Sequence, residues 1–322
     1  MLKRGLLPVW RDRDTLQIGV DSRRAVALSG MAGVAWVIGL LDGSRDRAQV
    51  IEAAADHGIP AKTTERVLAL LATAGALDDF PAGTLRLLPP PLRARLAAEL
   101  AAASLAHRDG DGGARTLARR LTAQVQVHGA GAVGTPIASL LERSGIGRVT
   151  QSESGTLRRG AELAGTGGPR AAASGTAPPG MVLPDLAILA GRPPMDLRAS
   201  LMRDEVPHLA VAADEAIGVV GPLVIPGRTA CLRCLDLART DRDPAWPLIL
   251  AQLASREPDP LACDAPLAAA VAAHAAAQAL GFIDRPAEAG AVANGTLELV
   301  LPSWQWRRRT WQPHPDCGCG SR

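Results

Sequence analysis

A glycine-rich stretch constrains the fold of this chain more than any other feature. Residues 125–134 read VQVHGAGAVG, in which Gly129, Gly131 and Gly134 form the pattern G-x-G-x-x-G. The first glycine allows a tight strand-to-helix turn, the second lets a phosphate approach the backbone, and the third lets the helix pack on the strand. The helix N-terminus then offers amide donors to an anion. We expect a Rossmann-like, nucleotide-binding turn here, and the alternative is a tight turn that binds nothing.

Strand and helix patterns alternate from about residue 121 onward, which favours a mostly parallel sheet with helices on its faces. The expected strands are Val125–His128, Gly147–Thr150, Leu186–Ala190 and His208–Ala212, with helices at 135–143 and near 195–204. The fold class is therefore α/β. We assign residues 121–322 to this Rossmann-like, nucleotide-binding-fold domain.

The first 82 residues have a different pattern. TLQIGV (15–20) and RRAVAL (23–28) read as two short strands around a turn, and three helical patterns follow at 32–41, 45–57 and 63–74. Glycine follows each helical pattern within two residues, which is a helix stop signal. A hairpin with three short helices predicts a small winged-helix-like domain at 1–82. Residues 83–120, with Pro89–Pro91 and one helix at 92–106, form a helical connector.

Two close cysteine pairs are the clearest sign of a bound metal. They are Cys231-Leu-Arg-Cys234 and Cys317-Gly-Cys319. Such pairs, distant in sequence, supply four thiolates to one tetrahedral Zn²⁺. His314 could replace one ligand, because the second pair has only one intervening residue. We expect a structural zinc, with reduced buried thiols as the alternative.

The fifth cysteine, Cys263, precedes an alanine-rich helix. A helix N-terminus lowers the pKa of a thiol and favours the reactive thiolate, which makes Cys263 a candidate catalytic residue. The alternative is a small core residue. For His274, within that helix, a structural role is the better interpretation.

Composition excludes several partners. The net charge is only +3 and no dense basic patch alternates with aromatic residues, so nucleic acid is not expected. The apolar stretch Pro266–Phe282 contains His274 and Gln278 and is shorter than the about twenty residues of a membrane span. No signal peptide is visible at the N-terminus. We therefore expect a cytoplasmic protein in a reducing compartment, without a membrane partner.

Three segments together resemble the ThiF/E1-like adenylyltransferase superfamily. They are the glycine turn, IGVVGPLVIPGRTACLRCLD (217–236) and HPDCGCG (314–320). The second resembles azole-cyclodehydratase-like proteins in particular. The resemblance covers about residues 121–322 and implies a domain that binds ATP and Mg²⁺, adenylates a C-terminal carboxylate, and dimerises around a structural zinc. Cys263 lies where some members carry a thiol that accepts sulfur or acyl groups.

The first 80 residues resemble the peptide-recognition module that ribosomal-peptide maturation proteins join to an E1-like domain. That module holds a leader peptide as an added strand on a sheet edge, with pockets for side chains. The hairpin 15–28 would provide this edge. The resemblance implies a peptide or small protein as partner.

The chain departs from the family at the residues that handle ATP. Aspartates usually end the second strand, where this chain has Gln151–Ser154 and only Glu153 could substitute. Arg158 and Arg159 could contact the phosphates, since no lysine follows Lys62. The family also places a Mg²⁺-binding aspartate after the strand LAILA, where this chain has Gly191-Arg192, and arginine cannot coordinate a cation.

These departures favour one hypothesis over two others. The favoured protein is an E1-like scaffold with a degenerate adenylation site, which presents a peptide to a partner enzyme. The second hypothesis is an active ATP-dependent adenylyltransferase that activates a C-terminal carboxylate, with Cys263 as a candidate acceptor. The resemblance implies a homodimer for either of these two. The third is an NAD- or FAD-dependent oxidoreductase, which would need an acid near residue 150 to hold the ribose.

Overall fold

The computed structural model describes residues 1–79, 88–152, 183–254, 263–285 and 290–320. The chain divides into two compact units, Met1–Ala118 and Arg119–Arg322. The predicted sites at Glu153, Arg158 and Arg159 lie outside the described residues.

The first unit contains a three-stranded antiparallel sheet in the order β1 (Pro8–Trp10), β2 (Leu16–Ile18), β3 (Val26–Leu28). The predicted hairpin is present as β2 and β3, in which Leu16 pairs with Leu28 and Ile18 with Val26. Strand β1 was not predicted, and its pairing with β2 makes β2 the central strand. The described sheet therefore has two free edges, β1 and β3.

Three helices cover this sheet: α1 (Trp36–Gly39), α2 (Arg47–Asp56) and α3 (Ala61–Thr73). Helix α1 is shorter than the predicted 32–41, since residues 32–35 form turns. Helix α2 begins with a capping box, in which the Asp46 carboxylate accepts from the Gln49 amide and the Gln49 side chain accepts from the Asp46 amide. Apolar side chains from the sheet and the helices form one buried core, which includes Ile18, Met31, Val37 and Leu71.

Three further helices follow: α4 (Pro90–Arg95), α5 (Ala97–His107) and α6 (Ala114–Thr122). The single predicted helix at 92–106 is two helices, because Leu96 leaves the helical conformation with φ −93° and ψ 9°. Helix α5 carries Ser104 to the buried Lys3. The Lys3 ammonium contacts the Ser104 hydroxyl at 2.7 Å and the Asp78 carboxylate at 2.8 Å. This buried charge is therefore paired, as a stable core requires.

The second unit is built on a sheet of seven described strands in the order β10-β9-β8-β7-β6-β4-β5. The strands are β4 (Gln124–His128), β5 (Arg148–Ser152), β6 (Leu186–Ala190), β7 (His208–Asp214), β8 (Ile217–Val224), β9 (Gly295–Val300) and β10 (Gln305–Thr310). Strands β5, β4, β6 and β7 run parallel. Strands β8, β9 and β10 continue the sheet antiparallel. The prediction of a mostly parallel sheet is therefore correct for one half of it.

Helices lie on both faces of this sheet: α7 (Gly131–Arg143), α8 (Met195–Arg203), α9 (Leu232–Thr240), α10 (Trp246–Ala254) and α11 (Ala265–Asp284). Helices α7 and α11 share one core with β4, through residues such as Val127, Ile137 and Val271. Helices α8 and α9 form a second core on the other face, which contains Leu189 and Leu201. This layered arrangement is Rossmann-like.

Helix α11 is the alanine-rich segment of the sequence analysis. Among the described residues it alone is long and apolar enough to span a bilayer, judged by length and composition. One of its faces, including Leu267, Val271, Ala275 and Ala279, is buried in the core of the second unit. A buried core helix passes the same test of length and composition, and this packing accounts for its apolar face.

Candidate functional site

The glycine turn joins β4 to α7 and has the geometry that the sequence predicts. Gly129 has φ +106°, and a Cβ there would overlap the carbonyl oxygen of Ala190 on the neighbouring strand β6. A Cβ at Gly134 would overlap the carbonyl oxygen of Gly129. These two glycines are required by the packing of the turn, whatever it binds.

Gly131 differs from the other two glycines. Its φ of +71° is left-handed, but a Cβ there would meet no atom of the described residues within 4 Å. As far as the described residues go, the space above Gly131 is open, at the point where α7 begins. A left-handed glycine beside open space permits close approach of a ligand to the backbone. The turn therefore fits an anion, as a nucleotide-binding turn would.

Gln151 occupies the end of β5, where an acid is expected. Its side-chain amide donates to the carbonyl oxygen of Gly129 at 3.0 Å and to the hydroxyl of Thr135 at 3.1 Å. Gln151 therefore closes the turn against the first residues of α7. An amide nitrogen in this position donates hydrogen bonds, whereas a ribose hydroxyl group is held by a carboxylate that accepts them.

Arg192 follows β6, at the same end of the parallel strands as the glycine turn. Its guanidinium lies 3.6 Å from the carboxylate of Asp214, at the end of β7. Burial raises the pKa of Asp214, and the charge of Arg192 opposes that rise. An arginine paired with this carboxylate occupies the place where the resemblance implies a Mg²⁺ ligand. The residues here do not fit a divalent cation.

Cys263 lies immediately before α11 but does not cap it. The carboxylate of Asp264 caps the helix instead, accepting from the Leu267 amide at 2.9 Å. Burial raises the pKa of the Cys263 thiol, and the charges of Asp264 and Asp214 raise it further. The lowered pKa expected from a helix N-terminus is not found, because burial and then two carboxylates oppose the thiolate. The catalytic role of Cys263 stays a prediction.

The four paired cysteines meet in one cluster. Their sulfur atoms all lie within 4.8 Å of one another. The Sγ–Sγ distances are 3.8 Å for Cys231 and Cys234, 3.4 Å for Cys231 and Cys317, and 3.3 Å for Cys234 and Cys319. A tetrahedron with zinc–sulfur bonds of about 2.3 Å has edges of about 3.8 Å, so the cluster fits Zn²⁺. With four protein ligands it would be a structural site.

Local structure places each pair. Cys231 is the N-cap residue of α9 and Cys234 lies in its first turn, whereas Cys317 ends a short 3₁₀ turn, Pro315–Cys317. His314 is not a ligand, since its Nε2 contacts the Asp241 carboxylate at 2.9 Å and its Nδ1 accepts from the Asp316 amide. The predicted alternative ligand is therefore engaged elsewhere.

Burial raises the pKa of three of these four thiols, whereas hydrogen bonds outweigh burial at Cys234 and lower its pKa. The three are Cys231, Cys317 and Cys319, whose pKa burial raises to about 11. A metal ion must displace these protons, so binding is linked to pH.

Trp311 packs beside the cluster and was not singled out from the sequence for this role. It is buried with Cys231 and Cys234 in the second core, and its indole donates to the Thr296 hydroxyl at 3.1 Å. Guanidinium groups from Arg239, Arg242 and Arg309 lie 5.6 to 5.9 Å from its ring centre. These contacts are within cation–π range and fix the segment that leads to Cys317.

Comparison with known proteins identifies the fold and not a family. No family model matches the chain, and no curated protein matches it. Solved structures do resemble it. The heterocyclase TruD is 17% identical with a TM-score of 0.64, over 99% of this chain and 42% of that chain. The microcin C7 biosynthetic enzyme MccB in complex with N-formylated MccA is 16% identical with a TM-score of 0.61, over 99% of both chains.

The E. coli MccB structure with ATP is similar to the same degree, at 15% identity and a TM-score of 0.61 over 99% of this chain and 98% of that one. This chain thus spans about two fifths of the heterocyclase chain and nearly all of MccB. At such low identity the likeness demonstrates a shared fold. The same fold carries many activities, so function has to be argued from the site.

Proposed function

We propose that this protein binds a peptide during peptide maturation, as an E1-like scaffold of the ThiF superfamily whose adenylation site is degenerate. The observation that carries the proposal is the likeness to MccB, which extends over both units and includes a complex with N-formylated MccA. The resemblance of the glycine turn and the cysteine pairs to ThiF-type proteins agrees with it. The four thiols suit a reducing, cytoplasmic setting.

The first unit would hold the peptide by strand addition to β3. The Gly19 amide donates to the Leu7 carbonyl and the Arg11 amide to the Thr15 carbonyl, so alternate residues of β2 bond to β1. Leu16 and Ile18 therefore face β3, which leaves the N–H and C=O of Ala27 on the free edge. An added peptide strand would pair with these groups.

The second unit would not adenylate the peptide. Gln151 and Arg192 stand at the two positions where the family handles ribose and Mg²⁺. Without a metal and its carboxylate, adenylation loses most of the charge stabilisation on which phosphoryl chemistry depends. Gln151 also weakens the case for an NAD- or FAD-dependent oxidoreductase, because an uncharged amide accepts hydrogen bonds from a ribose less strongly than a carboxylate does.

A partner enzyme would then perform the reaction. The heterocyclase chain is more than twice the length that this chain matches. A protein of this kind, acting as a scaffold, would deliver its peptide to a separate enzyme. A homodimer built on the second unit remains part of the proposal, on the strength of the ThiF resemblance alone.

Gly131 favours a second candidate function, the active ATP-dependent adenylyltransferase, because the turn remains open to a phosphate. Calorimetry with ATP, with and without Mg²⁺, on zinc-loaded protein separates the two. We expect no Mg²⁺-dependent binding up to millimolar ATP. Micromolar, Mg²⁺-dependent binding would favour the adenylyltransferase, with pyrophosphate exchange as the next assay.

Peptide binding is tested with peptides selected from a displayed random library on the immobilised protein. Ala27→Pro removes the edge donor of β3 without touching the bonds to β2, so selected peptides should bind it at least about tenfold more weakly. Ala27→Thr keeps the donor and serves as the matched control. Equal binding to both variants would contradict strand addition at β3.

A further inference from the structure

A cleft in the first unit lies between strand β1 and helix α1, on the side of the sheet away from β3. Its volume is about 370 Å³, and most of the residues that line it are apolar, among them Leu2, Pro8, Trp10, Leu16, Ile38 and Leu41. Leu16, Ile38 and Leu41 are buried core residues that form its floor. Trp10 is 52% exposed and stands at its open side.

The cleft adjoins a free strand edge. Because Leu7, Val9 and Arg11 direct their backbone groups toward β2, the N–H and C=O of Trp10 point outward along β1. Pro8 occupies the other outward position and offers only its carbonyl group, because proline has no N–H, so an added strand would find its edge donor at Trp10. Pro8 and Trp10 also lie on the same face, the one toward the cleft.

Exposed apolar side chains also lie on the opposite face of β1. Leu7 is 62% exposed and Val9 is 38% exposed, and they alternate along the strand with Pro8 and Trp10, which lie on the cleft face. On the cleft face, an exposed tryptophan and an apolar cleft beside an unpaired strand edge are typical of a binding site.

Among the described residues that line the cleft, one is charged, and it is acidic. The Asp42 carboxylate accepts from the Ser44 amide at 2.8 Å and the Ser44 hydroxyl at 2.6 Å, both on Oδ1. Its Oδ2 lies 3.6 Å from Arg45, a distance longer than a hydrogen bond. Oδ2 therefore has room for a stronger cationic partner. None of the described residues that line the cleft is basic.

We propose that β1 and this cleft form a second recognition site, which takes an extended peptide segment with a large apolar side chain close to a lysine or arginine. The segment adds to the edge of β1 through Trp10, its apolar side chain enters the cleft, and its basic side chain pairs with Asp42. The inference rests on the proposed peptide-binding function but concerns a site distinct from the β3 edge.

Gly39 allows a direct test. It lines the cleft, lies in α1, and a Cβ there would meet nothing within 4 Å. Gly39→Leu therefore extends an apolar side chain into the cleft from a Cβ that meets no described atom within 4 Å. Gly281→Leu is the matched control, since Gly281 is also a helical glycine with open space around it, but in the second unit. Near-ultraviolet circular dichroism and thermal melts establish that both variants fold.

The probe is the pool of peptides selected from the displayed library on the wild-type protein. We expect a class of peptides with an aromatic or aliphatic residue near a lysine or arginine. These should bind Gly39→Leu about tenfold to a hundredfold more weakly, the factor for losing burial of one large apolar side chain. Gly281→Leu should bind them as the wild type does, and Asp42→Asn should weaken only peptides that carry the basic residue.

The outcomes separate this inference from the function on which it rests. Peptides that lose affinity for Ala27→Pro but bind Gly39→Leu normally would leave the proposed function standing and overturn the second site. Peptides that bind Gly39→Leu and Ala27→Pro as well as the wild type would overturn both. Loss of affinity with Gly39→Leu but not with Ala27→Pro would support the β1 site and contradict the β3 edge.

Discussion

Arg120 on α6 and Asp284 at the end of α11 form a bidentate ion pair inside the second unit. The Arg120 Nε donates to Asp284 Oδ1 at 2.8 Å and its Nη2 to Oδ2 at 2.7 Å. Their side chains are only 8% and 4% exposed. The pair joins segments 164 residues apart in the chain and so fixes α6 to the core helix.

Removing one charge of this pair should strongly destabilise the second unit. Asp284→Asn removes the carboxylate charge that the buried Arg120 guanidinium contacts, so we expect the free energy of unfolding to fall by about 3 to 5 kcal/mol. Urea denaturation followed by circular dichroism measures the change. Asp21→Asn, which breaks the exposed pair with Arg23, should leave the midpoint unchanged. A small effect of Asp284→Asn would show that water or another group stabilises Arg120.

The cysteine cluster should bind a single zinc ion per chain. We expect Cys234→Ser to lose the metal, because three thiolates and a hydroxyl no longer form the tetrahedral S₄ site, and to lower the melting temperature. Elemental analysis and thermal melts measure the two effects. Cys263→Ser, which changes the cysteine outside the cluster, should keep its zinc. Full zinc retention in Cys234→Ser would contradict the four-thiolate site.

The pH dependence of zinc binding provides an independent check. Because burial raises the pKa of Cys231, Cys317 and Cys319 to about 11, these thiols are protonated near neutral pH and must release protons on binding zinc. We expect the apparent affinity for zinc to rise with pH between 6 and 8, measured by competition with a chelator. A flat profile over this range would show that the thiols are already ionised.

Substitutions at two glycines of the turn should differ in their cost to stability, because Gly129 is needed for packing and Gly131 faces open space. Gly129→Ala places a methyl group against the Ala190 carbonyl in a left-handed residue and should cost about 2 to 5 kcal/mol of stability. Gly131→Asn should cost less, since asparagine tolerates that conformation and the space is open. Thermal and urea denaturation compare them. If Gly131→Asn destabilised the protein as much as Gly129→Ala, the space above Gly131 would not be open.

His208 should make the second unit sensitive to acid. Burial is the main cause that lowers the His208 pKa from 6.5 to about 4, although its bond to the Val206 carbonyl favours the charged form. As the pH falls, the unfolded chain binds a proton at this histidine before the folded chain does. The contribution of neutral His208 to the free energy of unfolding is therefore fully present above about pH 6.5. It is lost as the pH falls toward 4, by about 3 kcal/mol in total. The loss between these pH values should shrink in His208→Gln. His57 is an exposed histidine in the other unit, so His57→Gln should leave this pH-dependent loss of stability unchanged.

The sequence predicted best those elements whose signals are local. Strand β6 was predicted with its observed bounds, because LAILA is a short apolar run between proline- and glycine-containing segments. The hairpin from β7 to β8 was missed, and with it the antiparallel half of the sheet. Its turn uses Glu215 and Ala216 at φ +53° and +59°, a left-handed conformation that glycine or asparagine usually marks.

The candidate sites likewise divide into those with a local sequence signal and those formed only by the tertiary structure. The spacing of the four cysteines predicted one shared site, and the structure brings their sulfur atoms together. The partner of Arg192 could not be predicted, because Asp214 approaches it only through the register of β6 and β7, in which Ala190 pairs with Val211. The cleft beside β1 was likewise missed, since a three-residue strand containing a proline gives almost no sequence signal.

The cysteine cluster also changes the topology of the chain. Cys231 and Cys317 are separated by 86 residues, a stretch that includes α9, α10, α11, β9 and β10. While the metal is held, this stretch becomes a closed loop, and a cross-link over such a length removes about 4 to 5 kcal/mol of conformational entropy from the unfolded chain. Removing the metal with a chelator would then abolish this cross-link reversibly and open the loop without breaking a peptide bond.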